Sequence, residues 1–356
     1  SLVLLKNEMN LLPLSKSLRS IAVIGPNADE RTQLICRYGP ANAPIKTVYQ
    51  GIKERLPHTE VIYRKGCDII DPHFPESEVL PFDITPKEQQ MMDEAIEAAK
   101  SAEVVIMVLG GSEVTVREER SRTSLDLPGR QEELLKAVCK LGKPTILVMI
   151  DGRASSINYA KKYVPAILHA WFPGEFCGQA VAETIFGDNN PGGRLAVTFP
   201  KSVGQIPFAF PFKPGSDSGC GTSVTGALFP FGHGLSYTTF EYSNLRISPE
   251  QQGVLGEVKV SCTVKNTGKR IGDEVVQLYL RDEISSVTTY VKILRGFERI
   301  TLQPNEEKEV TFTLSPQDLA IWDKNMKFQV EPGTFKVMIG ASSKDIKLEG
   351  KFTINK

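Results

Sequence analysis

The chain has 356 residues and sets 42 lysines and arginines against 42 aspartates and glutamates. A net charge of zero removes the positive field that nucleic acid or an anionic membrane surface would require of a binder. With 41% apolar and 24% charged residues the composition is that of a folded globular protein, and the length suits two domains, or three at most.

In chain order, the opening segment Leu2-Val3-Leu4-Leu5 is apolar and follows no initiator Met, charged leader region or cleavage pattern, so residue 1 is not expected to be the natural start. Over the first 200 residues two patterns alternate. Ser20–Gly25, Val104–Gly110, Thr145–Ile150 and Ala166–Ala170 are near-continuous apolar runs of strand length, as buried parallel strands are. Between them Gln89–Ala102, Gln131–Leu141 and Gly178–Phe186 carry apolar residues at helical spacing. This alternation predicts an α/β fold, a mostly parallel sheet with helices on both faces, over residues 1–200.

From Asn189 onward the texture turns to proline and glycine punctuation, and residues 201–239 read as a structured linker. Beyond it, residues 240–356 show seven evenly spaced strand-like segments: Val258–Lys265, Glu274–Arg281, Lys292–Arg299, Glu309–Leu314, Lys327–Glu331, Thr334–Gly340 and Leu348–Ile354. Turn residues flank each, and the spacing predicts a β-sandwich.

Six cysteines at positions 36, 67, 139, 177, 220 and 262 form no C-x-x-C pair and no zinc-ligand pattern, and read as buried thiols. A Cys36–Cys67 disulfide stays open, though a chain of this size has no need of one. No apolar run approaches the ~18 residues of a membrane span. Serine-hydrolase, zinc-protease, P-loop and dinucleotide-binding motifs are all missing. His169, inside an apolar strand, and His233, between glycines, read as structural; Trp171 reads as a core aromatic with a sugar platform as the alternative.

The chemistry concentrates in Gly110–Gln131, GGSEVTVREERSRTSLDLPGRQ, which leaves a buried strand and carries Glu113, Glu118 and Glu119 before a helix begins. Ligands of open α/β sheets lie outside the carboxyl ends of the strands, so the position suits a site; a solvated charged loop is the alternative. Arg117 and Arg120 favour ionisation of Glu118, so a catalytic acid there needs burial from outside the loop.

Several strings together resemble the carboxyl-terminal half of glycoside hydrolase family 3, the β-glucosidases and β-xylosidases. They run from SLVLLKNEMNLLPL and SIAVIGPNAD through SRTSLDLPGRQ, WFPGE and DNNPGGRLAVTFP to FPFGHGLSYTTFEYSNL, VKNTGKRIGDEVVQLYL and LRGFERITLQPNEEKEVTFTL. The resemblance implies an α/β sandwich domain, a fibronectin type III-like domain, and a preceding barrel domain that these residues do not contain. It implies a retaining, exo-acting β-glycosidase that releases terminal β-glucosyl or β-xylosyl residues from an oligosaccharide or β-glycoside. The nucleophilic aspartate belongs to the barrel, and the chain supplies the general acid/base. By motif that residue is Glu118, with Ser121-Arg122 where many members have Asp-Arg; the loop varies in length across the family, so Glu113 and then Glu119 are its competitors. Phe176-Cys177 departs from the family's small or acidic residues after Pro-Gly-Glu.

No cofactor or metal is expected, and neither nucleic acid nor membrane is expected as a partner. The expected partners are the substrate and the barrel domain, with the β-sandwich as a support or a dimerisation surface. This chain alone is expected to be inactive. A non-catalytic carbohydrate-binding or interaction module descended from such an enzyme is the rival reading; a nucleotide-binding α/β domain is a third, on fold texture alone. The compartment stays open, with periplasm or cell exterior favoured over cytoplasm.

Overall fold

A computed structural model describes residues 2–32, 39, 42–216 and 223–356. The chain forms two compact units, one of residues 1–193 with 199–203, the other of residues 194–198 with 204–356.

The first unit is α/β. Its elements are β1 (Val3–Asn7), β2 (Ser20–Ile24), α1 (Val48–Arg55), β3 (Glu60–Arg64), α2 (Pro86–Ser101), β4 (Val104–Gly110), α3 (Gln131–Cys139), β5 (Thr145–Ile150), α4 (Asn158–Tyr163), β6 (Ala166–His169) and α5 (Cys177–Ile185). The sheet order is β1-β6-β5-β4-β2-β3, with β1 antiparallel to β6 and every other pairing parallel. Every residue of β4, β5 and β6 is buried, which explains apolar runs without alternation: both faces of the sheet are covered.

Helix starts follow local chemistry. Thr85 caps α2 in a reciprocal box with Glu88, and Pro86 occupies the first turn, where its missing N–H costs nothing. Thr47 and Gln50 form the same box at α1.

The second unit is all-β. It contains β7 (Phe240–Ser248), β8 (Gln251–Gly253), β9 (Val258–Asn266), β10 (Gly272–Asp282), β11 (Ile293–Leu302), β12 (Glu307–Leu314), the short helix α6 (Pro316–Leu319), β13 (Ile321–Trp322), β14 (Phe328–Gln329), β15 (Gly333–Gly340) and β16 (Ile346–Asn355). Sheets of order β11-β10-β15-β16-β8 and β12-β9-β7 enclose one core. Along β9 the alternation puts Val258, Val260, Cys262 and Val264 into that core. The sequence expectation of a sandwich strand at Lys327–Glu331 is corrected: only Phe328–Gln329 is extended, paired with β13 in a separate two-stranded hairpin. The exposed Trp322 and Phe328 pack on each other rather than into the core, which removes the burial a sandwich strand needs.

Two motifs acquire structural reasons in this unit. Asn266 of VKNTG is fully buried, accepts from the Thr238 hydroxyl at 2.7 Å and donates to the carbonyls of Arg270 and Leu302. Arg194 of PGGRL forms a buried ion pair with Glu274 at 3.0 Å, and the Tyr242 hydroxyl donates to the same carboxylate at 3.0 Å. Burial pushes the Glu274 carboxyl upward, against the opposing pull of Arg194 and Tyr242.

Of the parallel strands of the first unit, β2 is followed by Gly25 and β4 ends in Gly110, and neither glycine has room for a side chain. At Gly110, φ is +140° and an added Cβ would lie 2.1 Å from the Ile150 carbonyl oxygen. Gly142, also at positive φ, has nothing within 4 Å. Gly110→Ala is therefore expected to destabilise the α/β unit by about 3 kcal/mol or more, and Gly142→Ala by about 1 kcal/mol. Urea unfolding of both variants checks this; equal costs would refute the close-approach account.

Candidate active site

The carboxyl ends of β2, β4, β5 and β6 lie along one edge of the parallel sheet and deliver Asn27, the 111–130 loop, Asp151–Arg153 and Trp171. That edge is where an open α/β sheet presents a site. Asn27 is fully buried and its Nδ2 donates to the carbonyls of Gly111 and Ile150, both at 3.2 Å, which ties the exits of β4 and β5 together.

The loop is anchored at its start by one tight turn. The Ser112 carbonyl accepts from the N–H groups of Thr115 and Val116 at 3.0 and 2.7 Å, and the Thr115 Oγ1 accepts from the Ser112 N–H at 3.0 Å. Glu113 lies in this turn, partly exposed, with Arg117 Nη1 at 3.2 Å from its Oε1. Glu118, Glu119 and Arg120 are exposed at the tip, with Glu119 in the left-handed region at φ 60°. On the returning leg Arg122 pairs with Glu78; both side chains are buried, and Glu78 also accepts from Thr123 N and Oγ1 at 2.9 and 3.0 Å. Burial pushes the Glu78 carboxyl upward, but the Thr123 N–H and the Arg122 guanidinium outweigh it and hold the group below its ordinary value.

Gln131, fully buried at the start of α3, closes the loop. Its Oε1 accepts from Gly110 N and its Nε2 donates to Gly110 O, both at 2.8 Å, and to Pro128 O at 3.1 Å. Sequence reasoning missed this residue, although it ends the PGRQ string that closes the loop motif.

The Asp151–Arg153 turn lies on the other side. Asp151 is buried; it accepts from Arg153 N at 3.1 Å and from the Ser155 hydroxyl at 2.5 Å. Desolvation pushes its carboxyl upward against those hydrogen bonds. Sequence reasoning singled out neither Asp151 nor Arg153, because DGRASS matches no catalytic pattern.

His169 is fully buried, and its Nδ1 accepts from the Trp171 N–H at 3.1 Å. The imidazole packs on Trp171, with ring centroids 4.3 Å apart, and edge-on to Phe199 at 5.3 Å. Trp171 is partly buried at φ 58°. At the start of α5, Phe176 is exposed and Cys177 is buried.

The loop therefore brings Glu113, Glu118 and Glu119 to one sheet edge, but the described residues do not enclose them. A cavity of about 370 Å³ behind the loop is lined by Glu78, Arg122, Asp126 and Arg130 and by none of the three glutamates. No cluster able to hold a metal occurs among the described residues. No helix among them is long and apolar enough to cross a membrane. Cys67, Cys139, Cys177 and Cys262 are free thiols, whereas Cys36 and Cys220 lie outside the described residues.

A family profile described as the glycosyl hydrolase family 3 C-terminal domain matches residues 2–237, and one for a fibronectin type III-like domain matches residues 274–343. The chain belongs to glycoside hydrolase family 3. A β-xylosidase of Formosa agariphila is 44% identical over 97% of the chain, and a periplasmic β-glucosidase of Salmonella typhimurium is 39% identical over 99%. The chain spans about half the length of these curated relatives, 47% and 48%. The solved structure of a β-glucosidase from Erythrobacter marinus superposes on the whole chain with TM-score 0.91 at 36% identity, and the chain covers 49% of it. A Listeria innocua β-glucosidase in complex with glucose is similar over the whole chain, with TM-score 0.87 at 28% identity and 48% of that chain covered. The α/β plus fibronectin type III-like architecture is thus that of family 3 β-glucosidases and β-xylosidases.

Burial pushes His169 down to about 3, with the Arg153 main chain opposing it. The unfolded chain holds its imidazole proton near pH 6.5, so the folded state binds fewer protons between these values. The resulting stability is complete above about pH 6.5 and is lost as pH falls toward 3, at ~1.4 kcal/mol per pH unit. Urea unfolding between about pH 6 and 4.5 should show this slope removed in His169→Gln, which keeps an acceptor for the Trp171 N–H. Equal slopes in the two proteins would assign the loss elsewhere.

Proposed function

We propose that this chain is the acid/base half of a retaining, exo-acting β-glycosidase that removes terminal β-glucosyl or β-xylosyl residues, with Glu118 as the general acid/base. The observation that carries the reading is the anchored loop. Its two legs are fixed by the Ser112 turn and by the buried Arg122–Glu78 pair, and Glu118 stands exposed between them at the carboxyl edge of the sheet.

The competing carboxylates are less suited. Glu113 is held within the first turn of the loop, its Oε1 engaged by Arg117 Nη1 at 3.2 Å, so it is committed to an ion pair rather than presented at the tip. Glu119 stands in the left-handed region at φ 60°, an uncommon position for a residue other than glycine. Glu118 carries neither constraint.

In the proposed reaction an aspartate of a barrel domain outside these 356 residues attacks the anomeric carbon as the glycosidic C–O bond breaks, and Glu118 gives its proton to the departing oxygen. Water then attacks the glycosyl ester and gives a proton to the Glu118 carboxylate, so the configuration at the anomeric carbon is retained. The two carboxyl groups of such a pair stand about 5 to 5.5 Å apart. Exposure of Glu118 at the loop tip supports a division of labour, in which the barrel domain covers the loop and completes the site. No cofactor enters this chemistry, and the 356 residues alone are expected to be inactive.

The test places Glu118→Ala and, separately, Glu113→Ala in the barrel-containing enzyme and compares nitrophenyl with alkyl β-glycosides. Loss of the acid should lower kcat/KM on the alkyl substrate by about 100-fold or more and far less on the activated one, with azide restoring turnover as a retained glycosyl azide. The signature in Glu113→Ala instead would move the role to Glu113. Its absence from both would favour a non-catalytic carbohydrate-binding or interaction module.

A further inference from the structure

We propose that Arg153 is a positioning residue for the acid/base, a guanidinium clamp that fixes the loop tip from the turn that follows β5. This inference rests on the Glu118 reading. Arg153 Nε donates to the Thr115 carbonyl at 3.2 Å and its Nη2 donates to the Arg120 carbonyl at 2.5 Å. Those carbonyls stand three residues before and two residues after Glu118, so one rigid group bridges the base of the tip that carries it.

The clamp is itself held. Asp151 fixes the main chain of Arg153 from one carboxylate oxygen, and its other oxygen takes the Ser155 hydroxyl. Asp151 follows β5 directly, while Thr115 belongs to the turn that leaves β4, and Asn27 bonds the exits of both strands. Hydrogen bonds and short stretches of backbone therefore link the sheet to the loop tip, from the buried Asn27 and Asp151 through the partly buried Arg153 to the exposed Arg120.

The chemistry of the clamp requires arginine. Its planar fork presents donors at fixed angles to two separate carbonyls, which a lysine ammonium on a flexible stem does not reproduce. An acid must lie within hydrogen-bond reach of the leaving oxygen, and a displacement of about 1 Å is enough to cost on the order of 100-fold in rate. A loosened tip should therefore impair protonation of the leaving group and leave substrate binding largely intact.

The experiment uses Arg153→Lys, Arg153→Gln and Glu118→Ala in the barrel-containing enzyme, with hydrogen exchange of the peptide spanning residues 114–122 and leaving-group kinetics on each. The clamp predicts exchange in that peptide about tenfold faster in both Arg153 variants while peptides from β4 and β5 keep their protection. It also predicts kcat on alkyl β-glycosides reduced roughly 10- to 100-fold, nitrophenyl glycosides nearly unaffected, KM little changed, and partial rescue by azide. If Arg153→Gln does not fold, Arg153→Lys decides alone. A normal acid/base signature in Glu118→Ala with wild-type exchange or wild-type alkyl-glycoside turnover in Arg153→Lys overturns the clamp and leaves the Glu118 reading standing. Absence of that signature in Glu118→Ala overturns the reading and this inference with it.

Discussion

Two parallel strands can run side by side to their last residue only if the chain that leaves them keeps out of the neighbour's way. At the ends of β2 and β4 this constraint is severe. A Cβ on Gly25 would meet the Val108 carbonyl oxygen at 2.1 Å, and one on Gly110 would meet that of Ile150 at the same distance. Both residues sit at φ values near +140°, closed to other amino acids, so the backbone turns sharply at a fixed height above the sheet. The geometry of everything beyond, including the carboxylate loop, starts from those two points.

A second level of order comes from where charge is buried. Exposed pairs such as Lys46–Glu54 contribute about 0 to 1 kcal/mol and hold little in place. Arg122–Glu78 is different, because both groups are withdrawn from water and removing either would strand the other at a cost of about 3 to 5 kcal/mol. Nature of the residue matters as well as charge: the same guanidinium group serves at Arg122 to pin a carboxylate and at Arg153 to gather carbonyls, in each case through a planar fork.

Much of this was legible in the residues. The apolar runs of β2, β4, β5 and β6 announced buried parallel strands because they lack alternation, and the amphipathic spacing located α2, α3 and α5 to within a few residues. The start of α2 could have been placed at Pro86 from Thr-Pro-x-Glu alone. By contrast β3, EVIYR, lies at the sheet edge with a half-exposed pattern, and its identity depends on pairing with β2 rather than on its own composition. Likewise β1 reads as a generic apolar segment until β6 accepts it in antiparallel register. At the site, the three glutamates were visible as a cluster, whereas Arg153, Gln131 and Asn27 were not. They act through main-chain carbonyls, and carbonyl partners leave no trace in a sequence.

The anchoring of the loop also bears on how such a chain can change over generations. The tip is held by Arg153 at the Thr115 and Arg120 carbonyls and by the Arg122–Glu78 pair, so residues can be gained or lost between Thr115 and Arg120 without disturbing the sheet. The closure entropy of a loop rises slowly, by ~0.6 kcal/mol for each doubling of its length, so insertions are cheap in stability and consequential in reach. Selection can thus shift the exposed carboxylates of the tip by several ångströms through a handful of changes in the loop, while the strands that support it stay fixed.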